Sequence, residues 1–208
     1  MSTTKKYEVV MEGILRNKAH IIPMNNSGVA SQPISIPKFT LSIPVFTAHK
    51  HTMTLHSGFD THTSVLGTVD MSLISSTIKL SFGDPDTSTV VFEVMSPKSA
   101  LYGNDFTFSV EMGDGARREF MWVRSPGFIE TAGPGTVKED WLHMKLLDKS
   151  TSRVLAIFKH HYTGWSKRGV FEIDEEARIL DEDDWDGVVV LSGLGVFEYL
   201  RQWVTMRF

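Results

Sequence analysis

The sequence predicts a mainly β protein that closes with one apolar C-terminal helix. Three observations lead there. Apolar and polar residues alternate with period two through most of the chain, as in Phe106, Phe108, Val110 and Met112. Turn-forming clusters punctuate the runs: Gly83-Asp84-Pro85-Asp86, Gly113-Asp114-Gly115 and Asp148-Lys149-Ser150-Thr151. Finally, the segment from Val188 to Phe197 carries no charge at all.

Residues 7–14 are expected to form the first strand. Residues 17–38, rich in Pro, Asn, Ser and Gly, read as a loop. Pro23, Pro33, Pro37 and Pro44 confine any strand there to an edge or a short piece. Strands are expected over 45–56, 63–69, 71–82 and 89–95. The runs 106–112 and 118–124 flank an Asp-Gly turn and predict a hairpin, the strongest local signal in the chain. Residues 141–147, 153–161 and 169–173 continue the alternation.

The uncharged run that follows would, as a helix, be buried on all sides. Ser192, Gly193 and Gly195 would let surrounding elements approach closely, although each Gly costs about 1 kcal/mol of helix propensity. Asp183, Asp184 and Asp186 stand just before it, where acids favour a helix N-terminus. A buried strand is the competing reading. A membrane span needs about 20 apolar residues, and this stretch is shorter and meets Glu198.

Composition sets the bounds. With 208 residues, 41% hydrophobic and 22% charged, the chain fits a single domain over 1–208 with a sizeable core. Thirteen Phe and five Trp suit the space between sheets. The absence of Cys rules out disulfides, thiolate metal sites and Cys nucleophiles. Charged residues break up the first 25 positions, so no secretory leader is expected and the chain reads as cytoplasmic. A net charge of -4 argues against a nucleic-acid partner. Residues 172–186 hold nine acids and one base, a local charge of -8, so the remainder carries +4.

Several segments resemble, in order and character, the tubby C-terminal-like superfamily, which includes the tubby proteins, the phospholipid scramblases and the plant LURP-one-related proteins. Arg118-Glu-Phe-Met-Trp122 is similar to that family's basic-aromatic-Trp strand. Trp141 to Asp148, with Arg153 to Ala156, resembles its paired strands around a polar turn. Lys167 to Ile173 resembles the next strand, and Asp186 to Glu198 the closing helix. The resemblance covers roughly residues 60–203. It implies a closed antiparallel β-barrel of about 12 strands that encloses the hydrophobic C-terminal helix and has no sheet edges. It also implies a non-enzymatic domain that recognises anionic phospholipid or phosphoinositide head groups at a cytoplasmic membrane surface.

Arg153, Lys159, His161, Lys167 and Arg168 are the candidate head-group residues, in a stretch without a single acid. Converging guanidinium and ammonium groups suit phosphate. The ordinary alternative is a solvated face that balances the acidic segment. Glu182, Asp184 and Asp186 are calcium candidates, since scramblases carry an acidic stretch at this position. Gly193 stands where an EF-hand would place its bidentate Glu, so helix-capping acids are the competing reading. His49 and His51 would share a strand face and offer a cupin-like metal site, which lacks an identified third ligand. No G-x-S-x-G, H-E-x-x-H or P-loop motif is present and no cofactor is expected. A protein partner, met by the acidic segment or an exposed aromatic surface, is the alternative to lipid.

Overall fold

The computed structural model describes residues 3–12, 17–24, 36–43, 51–71, 77–83, 91–97, 105–111, 115–124, 143–161 and 167–205. Twelve strands form a closed antiparallel barrel, each pairing with its neighbours in sequence. They are β1 (Thr4–Glu12), β2 (Lys18–Met24), β3 (Phe39–Ser42), β4 (His51–Ser57), β5 (Val65–Met71) and β6 (Ile78–Phe82), then β7 (Val91–Pro97), β8 (Phe106–Glu111), β9 (Arg117–Arg124), β10 (Met144–Asp148), β11 (Val154–His160) and β12 (Lys167–Asp174). β12 returns to β1 and closes the wall, with Tyr7 opposite Phe171. A short 3-10 turn (Glu175–Ala177) leads to the single α-helix, α1 (Glu182–Thr205).

Alternation decides which residues face the lumen. Phe106, Phe108 and Val110 of β8 are buried, as are Phe120 and Trp122 of β9 and Phe171 and Ile173 of β12. The β8–β9 hairpin has Phe106 opposite Trp122 and Glu111 opposite Arg117. Barrel closure leaves no full strand edge. Among the described residues the shortest seam is β7–β8, with two residue pairs, Ser96 with Thr107 and Pro97 with Phe106. Beyond them the buried Glu93 carboxylate ties the seam by accepting from Ser109 at 3.0 Å and from Arg117.

α1 is threaded through this lumen. Residues 185–198 are buried on every side. Its small residues are placed where the wall comes closest. A Cβ on Gly193 would lie 2.7 Å from the Phe171 ring and 2.9 Å from Trp122. On the wall side, a Cβ on Gly67 of β5 would lie 2.8 Å from Leu191. Ser192 is the polar exception, and it is satisfied: it accepts from the Trp122 indole N–H at 3.0 Å and donates to the Val188 carbonyl at 2.7 Å. Phe158 packs on Phe171 at 4.6 Å and on Phe197 at 5.3 Å.

The structure corrects several boundaries. Part of the expected loop at 17–38 is strand β2. Pro23 is tolerated there because β3 pairs only with Lys18–Ile21, so no donor is needed on that side at Pro23. The single strand expected at 71–82 is instead the end of β5 and all of β6. The helix starts at Glu182, six residues before the uncharged run. Asp181 takes the N-cap position, its carbonyl accepting from the Trp185 N–H at 2.9 Å. The acids are therefore inside the first turns. Asp186 turns into the wall, where it accepts from the Tyr7 hydroxyl at 2.6 Å and from Lys38 at 2.7 Å. Residues 44–50, which hold the start of the strand expected at 45–56, lie outside the described residues. No helix of the described residues is long and apolar enough to cross a membrane.

Candidate functional site

The antiparallel barrel gives the molecule two unlike ends. At one end α1 begins, β12 finishes at Asp174, and Glu175, Glu176, Asp181 and Asp184 follow. At the other end α1 finishes, β9 ends at Arg124, β11 ends at His160 and β12 begins at Lys167. Among the described residues, the acids at this second end, Glu12, Asp70, Asp105 and Glu198, are outnumbered by Lys18, Lys79, Arg124, Lys145, Lys167, Arg168 and Arg201. Two of those acids are held by basic neighbours: Glu12 by His20 at 2.8 Å and Lys18 at 3.5 Å, and Glu198 by Arg201 at 2.8 Å.

The five sequence-predicted head-group residues are divided by this polarity. Arg153 precedes β11 at the acidic end and donates to Asp174 at 2.8 Å. The length of β11, about 20 Å at a strand's rise per residue, separates it from the others. Lys159 lies on the outer wall, paired with Glu172 at 3.0 Å, and Lys6 reaches the same carboxylate at 3.1 Å. His161 is exposed, and its N–H donates to the Arg168 carbonyl at 2.9 Å. Lys167 opens β12 at the basic end; its side chain lies outside the described residues.

Arg168 is re-aimed by the backbone. The β1–β12 register passes from Val9 opposite Gly169 to Val10 opposite Lys167, skipping Arg168. A bulge of this kind turns a side chain away from its regular direction. Arg168 lines a cleft at the barrel end together with Leu194, Phe197 and Glu198 of α1. Beside it the His160 ring packs on Phe197 with centroids 4.9 Å apart. Burial first, and then the charges of Arg168, His143 and His161, push the His160 imidazole down to about 4.

A second polar chain runs along the outer wall. Glu12 lies 2.8 Å from His20 Nε2, and His20 Nδ1 lies 3.2 Å from the Thr40 hydroxyl. The connectivity is that of an acid–His–nucleophile triad. Its protons run the wrong way. Thr40 donates to the Gly58 carbonyl at 2.7 Å, so it can only accept from His20, and it is fully buried. Phe59 stacks on the His20 ring at 5.1 Å. The chain is a strut that fastens the β4–β5 connection to the wall.

The metal candidates do not converge. Asp184 is exposed while Asp186 is held inward by Tyr7, Lys38 and Lys5. The Glu182 side chain lies outside the described residues, as do His49 altogether and the side chain of His51. Among the described residues no group of three or more His, Asp or Glu could hold a metal ion. Sequence reasoning missed Arg124, His143 and Arg201 at the basic end. The signal existed, since antiparallel strand order alone puts alternate strand ends together.

The class defined by this geometry is a closed antiparallel β-barrel that clasps its own C-terminal helix and separates its charges by end. No family model matches the chain, and no curated protein or solved structure matches it either.

Proposed function

We propose that the protein is a non-enzymatic binding domain of the tubby-like class that recognises anionic phospholipid at a membrane surface, using the barrel end where α1 finishes. The observation that carries this reading is the collection of Arg124, Lys167, Arg168 and Arg201 at that end among the described residues, with the acids of 174–184 at the opposite one. Each Lys or Arg close to an anionic leaflet is worth about 1 kcal/mol. A molecule with oppositely charged ends is also oriented by the field as it approaches. Arg153 lies at the opposite end and Lys159 on the outer wall, so neither is assigned to the contact.

The test is vesicle flotation with neutral, phosphatidylserine-containing and phosphoinositide-containing vesicles at low and physiological salt. Binding should require anionic lipid and weaken with salt. The combined variant Arg124→Gln, Lys167→Gln, Arg201→Gln should lose most of it, and Arg153→Gln should lose none. Equal losses in both variants, or no preference for anionic vesicles, would sink the reading. The exposed Glu176, Asp181 and Asp184 favour a second one, in which the acidic end meets a basic protein partner. Retention of one specific partner that is lost on neutralising these three residues would support it.

A further inference from the structure

One seam of the barrel is joined largely by side chains. The β7–β8 ladder stops at Ser96 opposite Thr107, although β7 reaches back to Val91 and β8 runs on to Glu111. One of its two residue pairs involves Pro97, which has no N–H to donate. Among the described residues every other seam of the wall has four pairs or more. The lengths without a ladder lie toward the acidic end, where extending the register sets Val94 opposite Ser109. Glu93 occupies that interval. Alternation aims it inward, beside Met95 and opposite Leu80, both fully buried. Its carboxylate nonetheless accepts from Ser109 at 3.0 Å and from Arg117, two residues of the outer face. Arg117 also donates to the Ser109 hydroxyl at 2.8 Å. The three side chains form a closed triangle where ladder hydrogen bonds would otherwise run, and the Arg117 side chain is half exposed.

The two strands are held differently from within. Phe106 of β8 meets Tyr199 of α1 edge-on at 5.3 Å. Phe108 packs on Phe120 at 5.6 Å, and Phe120 on Trp185 of α1 at 5.5 Å. These rings fasten β8 to the helix, and six residue pairs fasten it to β9. β7 is fastened to β6 by five pairs. We infer that β7 is a hinged flap, which swings on its β6 edge and opens the wall at the β7–β8 seam, with Glu93, Ser109 and Arg117 as the latch. α1 and the other seams stay in place. Opening here breaks two residue pairs and one partly solvated triangle, fewer bonds than any other described seam would lose. Segments that open below the global unfolding free energy are those with few buried contacts and solvent-exposed hydrogen bonds. The open flap uncovers Phe108 and the Phe120–Trp185 pair behind it without unfolding the barrel.

The chain has no Cys, so one introduced buried thiol reports opening by its rate of labelling. Met95→Cys places it on the flap and Leu146→Cys on β10, both positions fully buried. Each full-length variant is reacted with an aromatic disulfide reagent under native conditions, where labelling tracks the population of the open form. Met95→Cys should label about tenfold or more faster than Leu146→Cys. Asp148→Asn and Glu93→Gln are then added to each. The bonds of Asp148 to Arg118 and Ser150 lie on the β9–β10 side and survive when the flap opens. Asp148→Asn should therefore speed labelling of Leu146→Cys by about tenfold or more and leave Met95→Cys unchanged. The latch is lost in flap opening and in global unfolding alike, so Glu93→Gln should speed both. Equal labelling of the two thiols, acceleration of both by Asp148→Asn, or no effect of Glu93→Gln on Met95→Cys would overturn the inference. Should either Cys variant fold poorly, hydrogen exchange of the unsubstituted chain decides. The ladder amides of the β7–β8 pairs should exchange about tenfold or more faster than those between β11 and β12, and equal rates would overturn the flap.

Discussion

Three glycines of α1 offer a test of the threaded barrel that carries its own control. Substituting Ala at each raises helix propensity by about 1 kcal/mol, so that gain is common to all three. What differs is the room for a methyl group. At Gly187 a Cβ would meet Leu55 and Leu66 at 4.0 Å, which is ordinary contact. Gly187→Ala should therefore stabilise by about 1 kcal/mol, raising Tm by about 2–4 °C. At Gly195 the nearest atom is a Val69 methyl at 3.1 Å, so a slight shift offsets the gain and the net should be near zero. At Gly193 the Cβ would sit 2.7 Å from Phe171 and 2.9 Å from Trp122. Neither ring has freedom to retreat. Trp122 is anchored by its hydrogen bond to Ser192, and Phe171 is backed by Phe158 at 4.6 Å. Overpacking of this kind costs about 1–3 kcal/mol, so Gly193→Ala should be destabilising or at best neutral, and Gly193→Leu should cost more than about 3 kcal/mol. The assay is urea denaturation of the variants in parallel, with m-values compared to confirm an unchanged unfolded state. Taking Gly193→Ala minus Gly187→Ala cancels propensity and isolates the packing penalty. A difference below about 0.5 kcal/mol, within ordinary additivity error, would mean that Trp122 and Phe171 do not clasp the helix.

Two further tests concern charge. Asp148 is fully buried, and although burial opposes ionisation, hydrogen bonds from Ser150 and Arg118 hold its carboxyl well below the usual carboxylate range. Its contribution is present above the unfolded value of about 3.9 and fades as pH falls below it, so Asp148→Asn should lower stability at pH 7 by about 2–3 kcal/mol and flatten the acid limb. His160 acts at higher pH. Because its folded value of about 4 lies below the unfolded 6.5, the unfolded chain binds the extra proton between them. Stability should fall as pH drops from 6.5 toward 4, with a slope of up to about 1.4 kcal/mol per pH unit. His160→Gln should lack that slope in pH-dependent urea titrations, and an identical profile would remove His160 from the account.

What the sequence made legible was local. The β8–β9 hairpin could be read because Phe106, Phe108 and Val110 alternate on one side of an Asp-Gly turn and Phe120 and Trp122 on the other. Barrel closure by α1 could be read because no one-sided surface accommodates Val188 to Phe197. The helix start was obscured because Asp186 looks solvated until Lys38, 148 residues away, is beside it. β2 was obscured because His20 breaks the alternation. It is buried on the outer face under Phe59, a partner from another hairpin. The basic segment was legible as charge but not as a place. Only the hairpin turn at Asp148 to Arg153 shows that Arg153 and Arg168 belong to opposite ends, and only the antiparallel order of the strands puts Arg124 and His143 at the same end as Arg168.

The separation of charge is larger than folding needs. A helix presents about half a positive charge at its N-terminus and half a negative charge at its C-terminus. Asp181 at the cap and the buried Asp186 already answer the first, and Arg201 lies in the last turns near the second. Yet residues 172–186 carry -8, of which Glu172, Asp174 and Asp186 form ion pairs with Lys or Arg among the described residues. Glu176 and Asp184 are exposed, and like charges this close cost self-repulsion. Lys5, Lys38 and Arg153 serve as counter-charges to Asp186 and Asp174 on the wall. Arg124, Lys167 and Arg168 stand at the far end, a barrel's length away. That placement is what supports the proposed contact of this end with an anionic surface.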